Sequence, residues 1–164
     1  GGGVYPGTNY ADELDLPKLW RCHRAIMAVE IAASQGERLR QHPEQFTTGI
    51  RALIEEGLAV TTADYAEAIR FQRSLRHKAR KAIGNEVWIC PAARGAAPTP
   101  ETTGDPCMNS PWSFLGFPTI TFPMGLSPDG MPLGLQFIAA PHRDLELFQA
   151  ARWCEAQFRY RAAV

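Results

Sequence analysis

Five residues in one Pro- and Gly-dense stretch are placed to touch a small molecule: Thr103, Gly104, Asp105, Asn109 and Trp112. A carboxylate can orient a polar group, a carboxamide both donates and accepts, and an indole offers an apolar wall. Each also has a plainer reading. Asp105-Pro106 is an ordinary turn pair, and a Trp is more often packed inside than set out to bind. The stretch is favoured by its kind: loops on a rigid scaffold carry binding groups more often than strands do.

The remaining reactive groups make weaker sites. Ser34, Ser74, Ser110, Ser113 and Ser127 lie in helical patterns or beside prolines, none in a glycine-rich loop. A serine nucleophile needs an adjacent base, and its oxyanion needs fixed donors. A cysteine enzyme built on Cys107 with His142 or His23 is a rival reading, but Asp105 has the wrong charge to favour a thiolate. Cys22, Cys90, Cys107 and Cys154 contain no C-x-x-C pair, which argues against zinc and against a disulfide framework. They read as reduced small hydrophobes, the usage of a cytoplasmic protein. No metal and no cofactor is expected. Arg70, Arg73, His77 and Arg80 share one helix face, which either tracks phosphates or, more commonly, is simply solvated.

The 164 residues suffice for one domain with a sizeable core. With 45% hydrophobic and 21% charged residues, the composition is globular rather than disordered or membrane-embedded. Seventeen basic residues balance seventeen acidic ones, so nothing in the charge attracts nucleic acid or anionic lipid. The same balance offers little repulsion against self-association. No run approaches the roughly 18 apolar residues of a membrane span. Gly1-Gly2-Gly3-Val4-Tyr5-Pro6 has neither Met nor a signal-peptide pattern, so 1–14 reads as a tail and the chain as a piece of something larger.

The elements that must position the loop fall into a helical half and a β-rich half. Pro17 suits a first helical turn, and Leu19, Cys22, Ile26, Val29 and Ala33 then form an apolar stripe that Gly36 can stop. Phe46, Ile50, Leu53 and Ile54 predict a short helix ending near Gly57. Thr61 caps a third helix with Tyr65, Ala68, Ile69, Gln72, Leu75, Ala79 and Ile83 along one side, ending by Gly84. Glu86–Cys90 predicts a buried strand. Thr119–Phe122 and Leu133–Ile138 flank the turn Ser127-Pro128-Asp129-Gly130, which predicts an antiparallel hairpin. On its second strand Leu133, Leu135 and Phe137 face one way and Gly134, Gln136 and Ile138 the other. Asp144 caps a last helix whose apolar set is Leu147, Ala151, Cys154 and Phe158.

Read as strings, Thr103-Gly104-Asp105-Pro106, Pro111-Trp112, Gly116-Phe117-Pro118, Pro123-Met124-Gly125-Leu126 and Gly130-Met131-Pro132-Leu133-Gly134-Leu135-Gln136 resemble the end of the amidase-signature family. Met27-Ala28-Val29-Glu30, Asp64-Tyr65-Ala66-Glu67-Ala68 and Trp88–Pro91 through Ala97-Pro98 agree in order. The resemblance covers about Asp15 to Phe158. It implies an α/β fold: the carboxy-terminal part of the amidase-signature fold, a mixed β-sheet covered by helices. Residues 15–164 would be one such portion, helical over 17–84 and β-rich with a final helix over 86–159.

The resemblance further implies hydrolysis of a carboxylic amide to acid and ammonia or amine by a Ser, a bridging Ser in a cis peptide, and a Lys. The Gly/Ser-rich signature that holds those serines is not in this chain, so no catalytic residue is assigned here and the chain alone is expected to be inactive. In the intact enzyme Thr103, Gly104, Asp105, Asn109 and Trp112 would border a small-molecule amide. The Thr-Gly-Asp-Pro and Pro-Trp pairing leans toward small-molecule amide hydrolases rather than components of a transamidosome. The alternative is a non-catalytic binding or assembly module that kept only this lobe. Strands that lack their usual neighbours leave open edges, so a homo-oligomer is expected.

Overall fold

The computed structural model describes residues 15–158, the Phe158 side chain excepted; the expected tail over 1–14 and the last six residues lie outside the description. Helices α1 (Leu16–Gln41), α2 (Thr48–Ala59) and α3 (Thr62–Ile83) are followed by strand β1 (Trp88–Pro91), helix α4 (Ser110–Leu115), strands β2 (Thr119–Leu126) and β3 (Pro132–Ile138), and helix α5 (Asp144–Phe158). Single 3-10 turns stand at Pro43–Gln45 and Pro106–Met108. The chain divides into two compact units, with the division inside α3 between Leu75 and Arg76.

In the first unit, α1 starts where Pro17 allows, and the Asp15 carboxylate accepts the Lys18 backbone N–H at 3.2 Å. The helix does not stop at Gly36. It runs five residues further, to Gln41, and ends before His42-Pro43 because a proline disfavours helical backbone in the residue that precedes it. The buried stripe follows Leu19, Cys22 and Ile26 as expected, then turns to Ala28 and Ala32, leaving Val29 half-buried and Ala33 exposed.

The reason is Gly57. This glycine lies inside α2 rather than at its end, and a Cβ there would land on the Ala28 carbonyl and stand 2.9 Å from the Ala32 Cβ. The two helices therefore meet backbone to backbone across small residues. Beside the crossing, the Arg24 guanidinium donates twice, Nε at 2.8 Å to Glu56 Oε1 and Nη2 at 2.6 Å to Oε2. The Thr61 hydroxyl accepts the Asp64 N–H at 3.1 Å at the start of α3, as its sequence predicts. Arg70, Arg73, His77 and Arg80 are all exposed, the solvated face.

In the second unit, β2 and β3 form the expected antiparallel hairpin, and β1 pairs antiparallel with the other side of β3, giving the order β1-β3-β2. Strand β2 continues past Phe122 to Leu126. As an outer strand it tolerates Pro123, and the pairing shifts between Pro123 and Gly125 as a bulge. Phe122, Phe137 and Ala139 pack under Leu147 and Ala151 of α5, with Phe122 and Phe137 edge to face at 4.9 Å. Asp144 is the first residue of α5 rather than its cap, a one-residue difference in the boundary.

Two glycine substitutions separate propensity from packing. Alanine gains about 0.5–1 kcal/mol in a helix interior, whereas overpacking a close contact costs about 1–3 kcal/mol. Gly57→Ala is predicted to lower the urea midpoint, and Gly36→Ala, with nothing within 4 Å of its Cβ position, to raise it. Equal midpoints for the two variants would contradict the close crossing.

Candidate functional site

The sheet face opposite the Phe122–Phe137 core holds the site through one side chain. Gln136 stands in the middle of β3 between Cys90 of β1 and Thr121 of β2, and is 2% exposed. Its Nε2 donates to the Met108 carbonyl at 2.9 Å and to Cys90 Sγ at 3.4 Å. The first of these bonds fixes the Pro106–Met108 turn to the sheet.

A second arm is fixed beside it. The Ala92 N–H donates to the Gly134 carbonyl at 3.0 Å, and the Ala92 carbonyl accepts Asn109 Nδ2 at 3.3 Å. Gly134 permits this approach, because a Cβ there would stand 3.0 Å from the Ala92 Cβ and 2.9 Å from Thr121 Cγ2. Between the 93–98 arm and the 103–109 arm lies a pocket of about 510 Å³, a size suited to a small molecule.

Four of the five expected residues line it: Thr103, Gly104, Asp105 and Asn109. Gly104 takes φ +82°, and its N–H donates to the Thr102 hydroxyl at 3.1 Å. Asp105 caps the Pro106–Met108 turn, Oδ1 accepting the Cys107 N–H at 2.9 Å, while Oδ2 accepts Arg94 Nη1 at 2.9 Å. The Cys107 backbone N–H, and then the Arg94 guanidinium, hold the Asp105 carboxyl below the usual carboxylate range. The ionised pair is therefore complete above the ordinary carboxylate value of about 3.9 and is lost only as pH falls below it.

Trp112 does not line this pocket. It stands edge to face against Trp88 at 6.2 Å, and its indole Nε1 is buried with no hydrogen-bond partner among the described residues. Cys107 is no better a nucleophile than its sequence suggests. Burial pushes its thiol up, and the neighbouring Asp105 pushes the same way. Sequence reasoning misses Arg94 and the arm around it, although a signal is there: Arg94 is the sole Lys or Arg between Lys81 and Arg143. Among the described residues no cluster of His, Cys, Asp and Glu could hold a metal ion.

Removing the donor of this part-buried carbonyl costs about 0.5–1.5 kcal/mol, the net worth of an ordinary hydrogen bond. Gln136→Leu is accordingly predicted to lower thermal stability by that amount and to speed hydrogen exchange at Cys107 and Asn109, with the α1–α2 crossing unaffected. Unchanged exchange at those amides would contradict the tether.

No protein-family model matches the chain. Among curated proteins it is similar to AtzE of Pseudomonas sp. (strain ADP), part of a 1-carboxybiuret hydrolase, with 30% identity over 145 residues, which are 76% of this chain and 32% of that protein. It is 28% identical over 116 residues to the fatty-acid amide hydrolase 2 of Homo sapiens, covering 65% of this chain and 21% of that protein. A crystal structure of an amidase superposes with a TM-score of 0.77 at 28% identity, over 85% of this chain and 35% of the other. The chain thus spans about a third or less of the length of these relatives. Fold and sequence together make the chain a relative of the amidase-signature family.

Proposed function

We propose that the chain is the substrate-lining portion of an amide hydrolase and does not hydrolyse amides by itself. The observation that carries this reading is the pocket, where Thr103, Gly104, Asp105 and Asn109 converge in a chain related to an amidase and to a component of a 1-carboxybiuret hydrolase. The reaction is hydrolysis of a carboxylic amide C–N bond, and the Ser, bridging Ser and Lys that perform it belong to polypeptide outside this chain. The serines here support that assignment. Ser34 Oγ donates its proton to the Ile31 carbonyl rather than to a base, and Ser127 Oγ accepts the Met131 N–H within the hairpin turn. Trp112, braced on Trp88, stiffens the floor behind the loop rather than walling the ligand. The reading includes no cofactor, nucleic acid or membrane partner and a cytoplasmic setting; no described helix is long and apolar enough to cross a membrane.

A second reading, a non-catalytic binding or assembly module, is favoured by the surface of α5. Leu145, Phe148 and Trp153 are 68%, 60% and 66% exposed, and β1 and β2 are the outer strands of the described sheet. With a net charge of zero, a second copy meets little repulsion.

Two measurements follow. The purified chain, incubated with acetamide, butyramide and benzamide, is predicted to release less than one equivalent of ammonia; stoichiometric release would overturn the inactivity. Light scattering is predicted to give a mass above the 18.1 kDa monomer, reduced by Phe148→Glu, and a monodisperse monomer at high concentration would contradict self-association.

A further inference from the structure

The pocket wall carries charge at one place. Its lining is small and apolar or uncharged except for Arg94 and Asp105, which pair with each other. The two members of that pair are not equally occupied. Both Asp105 oxygens accept protein donors, one the Cys107 N–H and the other Arg94 Nη1. Arg94 gives one of its five N–H donors to that bond, and its side chain is 71% exposed. Asp105 therefore holds the guanidinium against the pocket from one corner and leaves the rest of the fork to solvent or to a ligand. No other Lys or Arg occurs between Lys81 and Arg143, so this guanidinium is the sole basic group that the two arms and the sheet supply.

A planar fork of this kind matches a carboxylate, and charge-assisted bonds to it are about twice as strong as neutral ones. Asn109, which lines the same pocket, spends its Nδ2 on the Ala92 carbonyl, and its Oδ1 is an acceptor for an amide N–H. We propose that Arg94 is a specificity-determining residue that takes the carboxylate of a substrate bearing both an amide and an acid group, the class of short dicarboxylic acid monoamides. The inference rests on reading the pocket as the amide site and adds to it the charge of the substrate.

Sodium succinamate and butyramide distinguish the two claims, because they share the carboxamide and chain length and differ in the carboxylate. In a heteronuclear NMR titration of the full chain at low salt, succinamate is expected to bind about twofold to fivefold more tightly than butyramide, the advantage of a partly exposed charge pair. Arg94→Gln should abolish the difference, and Arg94→Lys, which keeps the charge but not the fork, should retain only part of it. Since Arg94 is exposed, both variants should keep the wild-type amide spectrum outside the two arms. Equal affinities in the wild type, or a preference that survives Arg94→Gln, would overturn the role of Arg94 and leave the amide site standing. If neither compound shifts the Thr103, Gly104 and Asn109 resonances at tens of millimolar, both claims are overturned.

Discussion

The buried carboxamide of Gln136 is the constraint on which the carboxy-terminal unit depends. A polar side chain in the middle strand of a sheet must find partners or cost the stability of a lost hydrogen bond. It finds them in the Met108 carbonyl and the Cys90 sulfur, and in doing so fixes the turn from which Asp105 projects. Sheet register and site geometry thereby become one problem. Slipping β3 by one residue would drive Gln136 into the Phe122 and Leu147 core and expose Phe137 on the loop side. The hairpin turn and the Phe122–Phe137 contact, which set the register, are in that sense as much parts of the site as the loop residues.

Most of the framework is legible in the sequence because it is written in local patterns. The α3 stripe, the hairpin and the α5 face follow from periods of 3.6 and 2, and they stand where those periods put them. The pairing of β1 on the far side of β3 joins residues 50 and 46 positions apart, Trp88 to Ile138 and Cys90 to Gln136, and no local pattern specifies it. Gly36 misleads because a lone glycine is tolerated inside a helix, and nothing packs on its open side to mark a boundary. Gly57 does stand two residues from the end of α2, but its second role, admitting the Ala28 carbonyl, is one the local sequence cannot show.

The site divides along the same line. Thr103, Gly104, Asp105 and Asn109 stand together because they share one short loop, and their proximity is guaranteed by the chain. Arg94 arrives from an arm eleven residues upstream of Asp105, brought in by the Ala92 bonds to Gly134 and Asn109. Trp112 lies near in sequence, yet the short helix α4 turns it toward Trp88 instead of the pocket. What the described residues hold is a pocket positioned by the sheet and its two arms. The chain spans about a third of the length of the amidase on which it superposes.

The most direct test is a crystal structure of the chain soaked with butyramide. The account predicts the carboxamide between the 93–98 and 103–109 arms, its N–H within about 3.2 Å of Asn109 Oδ1, with the Gln136–Met108 bond intact. An occupied amide elsewhere on the molecule, with these two arms empty, would contradict it.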